Sequence, residues 1–214
     1  MRPYEKDPAA IYAQSFATVQ TEARLERFAP DMQPLITRLI HACGMVEIAN
    51  RLDYSAHVST VGNIALTRGA PILCDCEMVA SGIIRRHLPK DNAVICTLND
   101  AAVPTLAHEI GNTRSAAAVH LWRDHLEGAV VAIGNAPTAL FHLLELMDAG
   151  WPKPAVILGF PVGFVGAAES KAELAANPRG VPYITLRGRK GGSAMASAAV
   201  NALAAGLGTG PGHD

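Results

Sequence analysis

Val130-Val131-Ala132-Ile133 runs straight into Gly134-Asn135-Ala136-Pro137-Thr138 and then into a helical stretch over 139–147. The same order recurs twice. Ala155-Val156-Ile157-Leu158 passes through Gly159-Phe160-Pro161-Val162-Gly163-Phe164-Val165-Gly166 to a helical stretch over 167–176. Tyr183-Ile184-Thr185-Leu186 passes through Arg187-Gly188-Arg189-Lys190-Gly191-Gly192 to another over 193–205. Short β-branched runs alternating with helical patterns specify an α/β fold with a parallel sheet. Such sheets bind ligands outside the carboxyl ends of their strands. The glycines stand at those ends, where backbone without Cβ atoms lets a bulky ligand approach.

Upstream, Pro71-Ile72-Leu73-Cys74 and Ala93-Val94-Ile95-Cys96-Thr97-Leu98 read as further strands. The run pattern thus gives a sheet of about five strands. Asp75 stands where it would cap a helix over 76–82. A short helix is expected over 104–110, and a longer one over 113–125 after the turn residues Gly111-Asn112. Segment 7–27 spaces Ile11, Tyr12, Phe16, Val19 and Leu25 as an amphipathic helix. Segment 31–50 does the same with Leu35, Ile36, Leu39, Ile40, Cys43, Val46 and Ile48, and 56–68 makes a third helix ending at Gly69. The expected architecture is a three-layer α/β/α domain with a mostly parallel sheet and a helical N-terminal region. It is one domain over 1–214: mainly helical to 69, alternating strand and helix over 70–205, and a flexible glycine-rich tail over 206–214.

The 214 residues suffice for one substantial core. Half of them are apolar but only 5% are aromatic, so alanine and branched aliphatics must build the interior. A formal net charge of −1 gives no global attraction to nucleic acid or an anionic membrane. No apolar run approaches the ~20 residues of a membrane span. The four cysteines, Cys43, Cys74, Cys76 and Cys96, lack paired zinc-site spacing, and no secretory signal pattern precedes them. They read as reduced thiols of a cytoplasmic protein. Gly159, Gly163 and Gly166 lack dinucleotide-fingerprint spacing, and 187–193 lacks that of a phosphate-cradling loop. A nucleotide-binding enzyme is weakened by both absences.

Among eight histidines, His41 is the leading candidate for chemistry. It follows Arg38 by one turn in an otherwise apolar helix, so the two side chains share a face. Burial and a neighbouring cation lower a histidine pKa, whereas bound carboxylates raise it. A histidine in that balance exchanges a proton near neutral pH. Spacing alone favours the plainer reading, a hydrogen-bonded core histidine. Arg114, after Gly111-Asn112-Thr113 at a helix mouth, is either a carboxylate anchor or an ordinary surface arginine. His108, His120, His125 and His142 fall in or beside helices and read as surface or packing residues; no pair has metal-ligand spacing. Arg187, Arg189 and Lys190 read as a solvated turn, and Ser115, Thr138 and Ser193 as helix-capping hydroxyls. No serine lies in a nucleophile elbow.

Several strings, in register, resemble the precorrin-8X methylmutase family of corrin biosynthesis. They are Ile11-Tyr12 with Ser15-Phe16, Arg38 with His41-Ala42-Cys43-Gly44, and Gly69-Ala70-Pro71-Ile72-Leu73-Cys74-Asp75. Val94-Ile95-Cys96-Thr97-Leu98, Ile110-Gly111-Asn112-Thr113-Arg114-Ser115 and Ile133-Gly134-Asn135-Ala136-Pro137-Thr138-Ala139-Leu140 follow, then 159–170 and 188–195. The resemblance implies an isomerase that moves a methyl group from C11 to C12 of a tetrapyrrole to give hydrogenobyrinate, with no metal or organic cofactor. It places the catalytic histidine on His41, as donor to a ring nitrogen, and substrate contacts on Ser15 and Arg38. Carboxylate chemistry adds Arg114. It further implies a homodimer with sites near the subunit interface, and a possible hand-off to neighbouring corrin-pathway enzymes. A non-catalytic carrier of a corrinoid intermediate is the alternative that uses the same cleft.

Overall fold

The computed structural model describes residues 2, 4–205 and 207. The tail expected over 206–214 lies outside them except for Leu207, which packs on the core. Among the described residues six strands form one sheet: β1 (Leu52–Tyr54), β2 (Ile72–Cys74), β3 (Val94–Cys96), β4 (Val130–Ile133), β5 (Val156–Gly159) and β6 (Tyr183–Leu186). The spatial order is β1-β6-β5-β4-β2-β3. All neighbours are parallel except β1 and β6, which pair antiparallel with Leu52 opposite Leu186.

Strand alternation builds the layers. Val130 and Ala132, Val156 and Leu158, and Ile184 and Leu186 enter one apolar core, whereas Val131, Ile133, Ile157 and Tyr183 enter the other. With successive side chains on opposite faces, a strand buried on both sides must be apolar throughout. On the first face lie α1 (Pro8–Glu22), α2 (Gln33–Cys43), α3 (Val58–Thr67), α4 (Glu77–Gly82) and α9 (Ser193–Ala204). α9 packs against α2, α3 and α4. On the second lie α7 (Pro137–Asp148) and α8 (Ala167–Ala176), with α6 (Arg114–His120) packed on α7 and α5 (Val103–Glu109) packed on α6.

The sheet of about five strands gains β1, which was not anticipated, and has six among the described residues. Three expectations are corrected. The helix expected over 31–50 stops at Cys43, where Gly44 adopts φ 67° and turns the chain left-handed; a separate 3₁₀ turn covers Val46–Asn50. The helix expected over 7–27 likewise ends at Glu22, before a 3₁₀ turn at Leu25–Arg27. Hydroxyls at Ser115, Thr138 and Ser193 start helices without capping them; Thr113 caps α6 by accepting from the Ala116 N–H at 3.2 Å.

Candidate active site

Asp7 accepts the Ala9 N–H at 3.1 Å and Pro8 opens α1, which sets the register of that helix. Ile11, Ser15, Thr18 and Glu22 then fall at helical spacing and line one cavity. α2 presents His41 to the same cavity from its last turn, and Gly44 completes the wall as the chain leaves the helix. The cavity holds about 400 Å³.

Within it the Ser15 hydroxyl lies 2.8 Å from His41 Nδ1. Tyr12 tilts over the imidazole at 5.2 Å between centroids, and Phe16 meets it edge-on at 5.3 Å. Partial burial first, and the Arg38 guanidinium second, hold the His41 pKa below its ordinary value. The neutral ring is therefore favoured in the free protein. When Ser15 donates to Nδ1, the proton of a neutral imidazole resides on Nε2, which becomes a hydrogen-bond donor.

Arg38 lies one turn earlier on α2 and lines a neighbouring cavity of about 260 Å³ with Phe16, Gln20, Gln33 and Thr37. Phe16, edge-on to the histidine, also lines this second cavity. The structure does not bring Arg114 to this place. Its guanidinium is exposed in the opposite helical layer, donating to the Leu98 carbonyl at 3.1 Å and to Asn99 Oδ1 at 3.4 Å.

The glycine-rich loops approach α2 from the strand ends. Lys190 Nζ, in the loop after β6, lies 3.0 Å from Glu47 Oε1 and 3.2 Å from Met45 Sδ, just past the histidine helix. Phe164 and Val165, after β5, are 84% and 87% exposed, and the Arg189 guanidinium sits 5.5 Å from the Phe164 ring. They offer apolar and cationic surface together.

Asp75 is the functional-looking residue whose role the sequence misassigns. It does not cap α4, whose N-terminal boundary falls on Cys76 without a side-chain cap. Its buried carboxylate instead accepts three backbone N–H groups across the sheet: Gly134 at 2.8 Å, Asn135 at 2.9 Å and Ala136 at 2.7 Å. Burial pushes its pKa up, and those three donors oppose the shift. β3 and β4 flank β2 on opposite sides, so this is where successive crossovers diverge and where open α/β sheets form a crevice. Asp75 occupies the anion-binding turn there and fixes the glycine loop after β4. Gly134 can be nothing larger, since a Cβ would lie 2.7 Å from Ser193 Cα and 2.9 Å from Ala196 Cβ.

The sequence model of the precorrin-8X methylmutase family matches residues 10–205. The chain belongs to the precorrin-8X methylmutase family. A precorrin-8X methylmutase of Pseudomonas aeruginosa is 63% identical over 204 residues, covering 95% of this chain and 98% of that one. One from a Sinorhizobium species is 58% identical over 201 residues, covering 94% and 96%. A cobalt-precorrin-8 methylmutase of Priestia megaterium is 34% identical over 203 residues, covering 94% and 89%. Among solved structures, the precorrin-8X methylmutase of Thermus thermophilus superposes with a TM-score of 0.80 at 37% identity, covering 91% of this chain and 96% of that one. The methylmutase family match spans the Ser15–His41 pair, Arg38, Asp75 and the loops after β4, β5 and β6.

Proposed function

We propose that this protein is the isomerase that converts precorrin-8X to hydrogenobyrinate by moving a methyl group from C11 to C12 of the ring. The observation that carries the reading is the Ser15–His41 pair opening into a cavity, in a chain of this family. In the shift one carbon–carbon bond breaks at C11 and one forms at C12, so no external electrons or atoms are required. What the protein must supply is a polarised ring and a held geometry. His41, neutral and carrying its proton on Nε2, donates to a ring nitrogen and makes the π-system a better acceptor for the migrating group. Ser15 holds the ring orientation through Nδ1. Arg38 meets a substrate carboxylate beside the histidine, whereas Arg114, in the opposite layer, has no part in this cavity.

The Pseudomonas and Sinorhizobium relatives, named for precorrin-8X, are 63% and 58% identical, whereas those named for cobalt-precorrin-8 are 32–37% identical, as is the Thermus precorrin-8X methylmutase at 37%. This supports the cobalt-free tetrapyrrole as the substrate. The proposal includes a homodimer, for which the exposed Phe164 and Val165 supply apolar surface. It includes a cytoplasmic location, which the unpaired Cys43, Cys74, Cys76 and Cys96 favour, and hand-off of product to the next corrin enzyme. No helix among the described residues is long and apolar enough to cross a membrane.

The test is the visible spectrum of precorrin-8X incubated with the protein and with His41→Ala. Methyl migration changes the conjugation, so the native protein is expected to produce a new spectrum and the variant to leave the substrate chromophore in place. An equal perturbation by both proteins, without conversion, would instead identify a carrier.

A further inference from the structure

The fold brings together two histidines that stand 22 residues apart in the sequence. His120 ends α6 and His142 lies in α7, and their Nε2 atoms are 2.7 Å apart. The rings lie 4.8 Å apart, inclined by 34°. On its far side His142 Nδ1 is 2.8 Å from Glu145 Oε2. A carboxylate in that position receives the Nδ1 proton and leaves the Nε2 lone pair of His142 directed at its partner. This is the outer arrangement that orients metal-bound imidazoles. Trp151 meets the His120 ring edge-on at 5.5 Å. The Arg123 guanidinium, 5.2 Å from the Trp151 ring centroid, is the positive charge closest to this cluster among its ring contacts.

We propose that His120 and His142 form a two-imidazole chelate for a divalent transition ion of the nickel–copper–zinc class, with Glu145 as the orienting carboxylate. The site is separate from the Ser15–His41 cavity, since α6 and α7 cover the opposite face of the sheet. Among the described residues no group of three or more His, Cys, Asp or Glu side chains is placed to enclose a metal. Protein therefore supplies two coordination positions and water the rest.

Two nitrogens bound at about 2.0–2.1 Å to one ion stand roughly 2.9–3.4 Å apart, depending on the coordination angle. The observed 2.7 Å thus opens by about half an ångström on binding. Small torsions of two side chains supply that movement, with the helices unmoved. His120 moves its proton from Nε2 to Nδ1 as the ion takes its place, so the neutral pair binds without net loss of a proton.

Trp151 is a built-in reporter. Titration of the intact protein with Ni²⁺ is expected to quench its fluorescence saturably at one equivalent, with Zn²⁺ competing for the same site. His120→Asn and His142→Asn, checked for folding by circular dichroism, should each weaken binding at least tenfold. Glu145 is exposed, so Glu145→Gln leaves the fold intact, and it should weaken binding about tenfold through loss of the orienting carboxylate. Trp151→Phe should diminish the quench, leaving the part due to Trp122 two residues past His120, while calorimetry still records the binding. Absence of saturable binding below millimolar Ni²⁺, or equal affinity in the native and both histidine variants, would overturn the proposal. The readout is binding alone, so it stands or falls independently of methyl migration.

Discussion

With Nδ1 of His41 engaged by the Ser15 hydroxyl, the nitrogen left to meet a substrate is Nε2. His41→Ala is therefore expected to lower turnover by about 10²–10⁴-fold, the usual range for one proton-donating side chain. Ser15→Ala should cost about tenfold, the weight of roughly one net hydrogen bond, and should act on kcat more than on KM because it misorients the donor. Stopped assays across substrate concentration separate the two. A second expectation follows from charge. Burial and Arg38 depress the His41 pKa in the free protein, and the carboxylates of a bound tetrapyrrole oppose Arg38 and raise it. Product binding slightly below neutral pH should then take up a proton. Calorimetry in two buffers of different ionisation enthalpy measures this directly; identical enthalpies in both, or unchanged uptake in His41→Ala, would contradict it. The sequence made His41 and its arginine visible through helical spacing. Ser15 was legible only through the family resemblance, and Thr18 and Glu22, which line the same cavity from α1, went unread. The His120–His142 contact was not legible, because its partners lie on different helices and no local pattern encodes their distance.

At the level of elements, short-range patterns were read well and long-range substitutions of partner were not. The apolar runs of β4, β5 and β6 were legible because strands buried on both faces leave no polar position. β1 was hidden for the opposite reason. It has three residues, and Asp53 at its centre accepts a hydrogen bond from the Tyr183 hydroxyl at 2.8 Å. Asp75 looked like a cap because an aspartate before a helix usually is one. Its N–H partners come from a loop about 60 residues away in sequence. Asp75→Ala leaves those three donors without their acceptor, the Gly134 and Ala136 N–H groups in the interior, and is expected to destabilise the protein by about 3 kcal/mol. Urea unfolding measures the loss, and formate, which fits the vacated carboxylate position, should restore part of it. A variant as stable as the native protein would mean that water satisfies the loop unaided.

For the whole molecule, α8 and the loop after β6 are joined by a buried cation. Lys171 is 1% exposed, and its ammonium donates to the Lys190 carbonyl. Burial, with a smaller contribution from Arg51, lowers its pKa from 10.5 to about 8. Between those two values the unfolded chain binds a proton that the folded protein lacks. This group therefore makes stability rise with pH through that window, and the contribution is lost as pH falls toward 8. Lys171→Met should flatten the pH dependence of the urea midpoint over the same range. An unchanged slope would show that the lysine titrates normally.

The place of α9 at the centre of its layer has a consequence for the order of events at the ribosome. α2, α3 and α4 emerge long before α9, yet each packs against it. β1 must wait likewise for β6, some 130 residues later. Until residues 183–204 have been translated, the first-made helices expose an apolar face, and the histidine helix has only α1 to pack on. The nascent chain thus carries that apolar face through most of its synthesis, and the helix bearing His41 docks on its layer only when the last helix has been made.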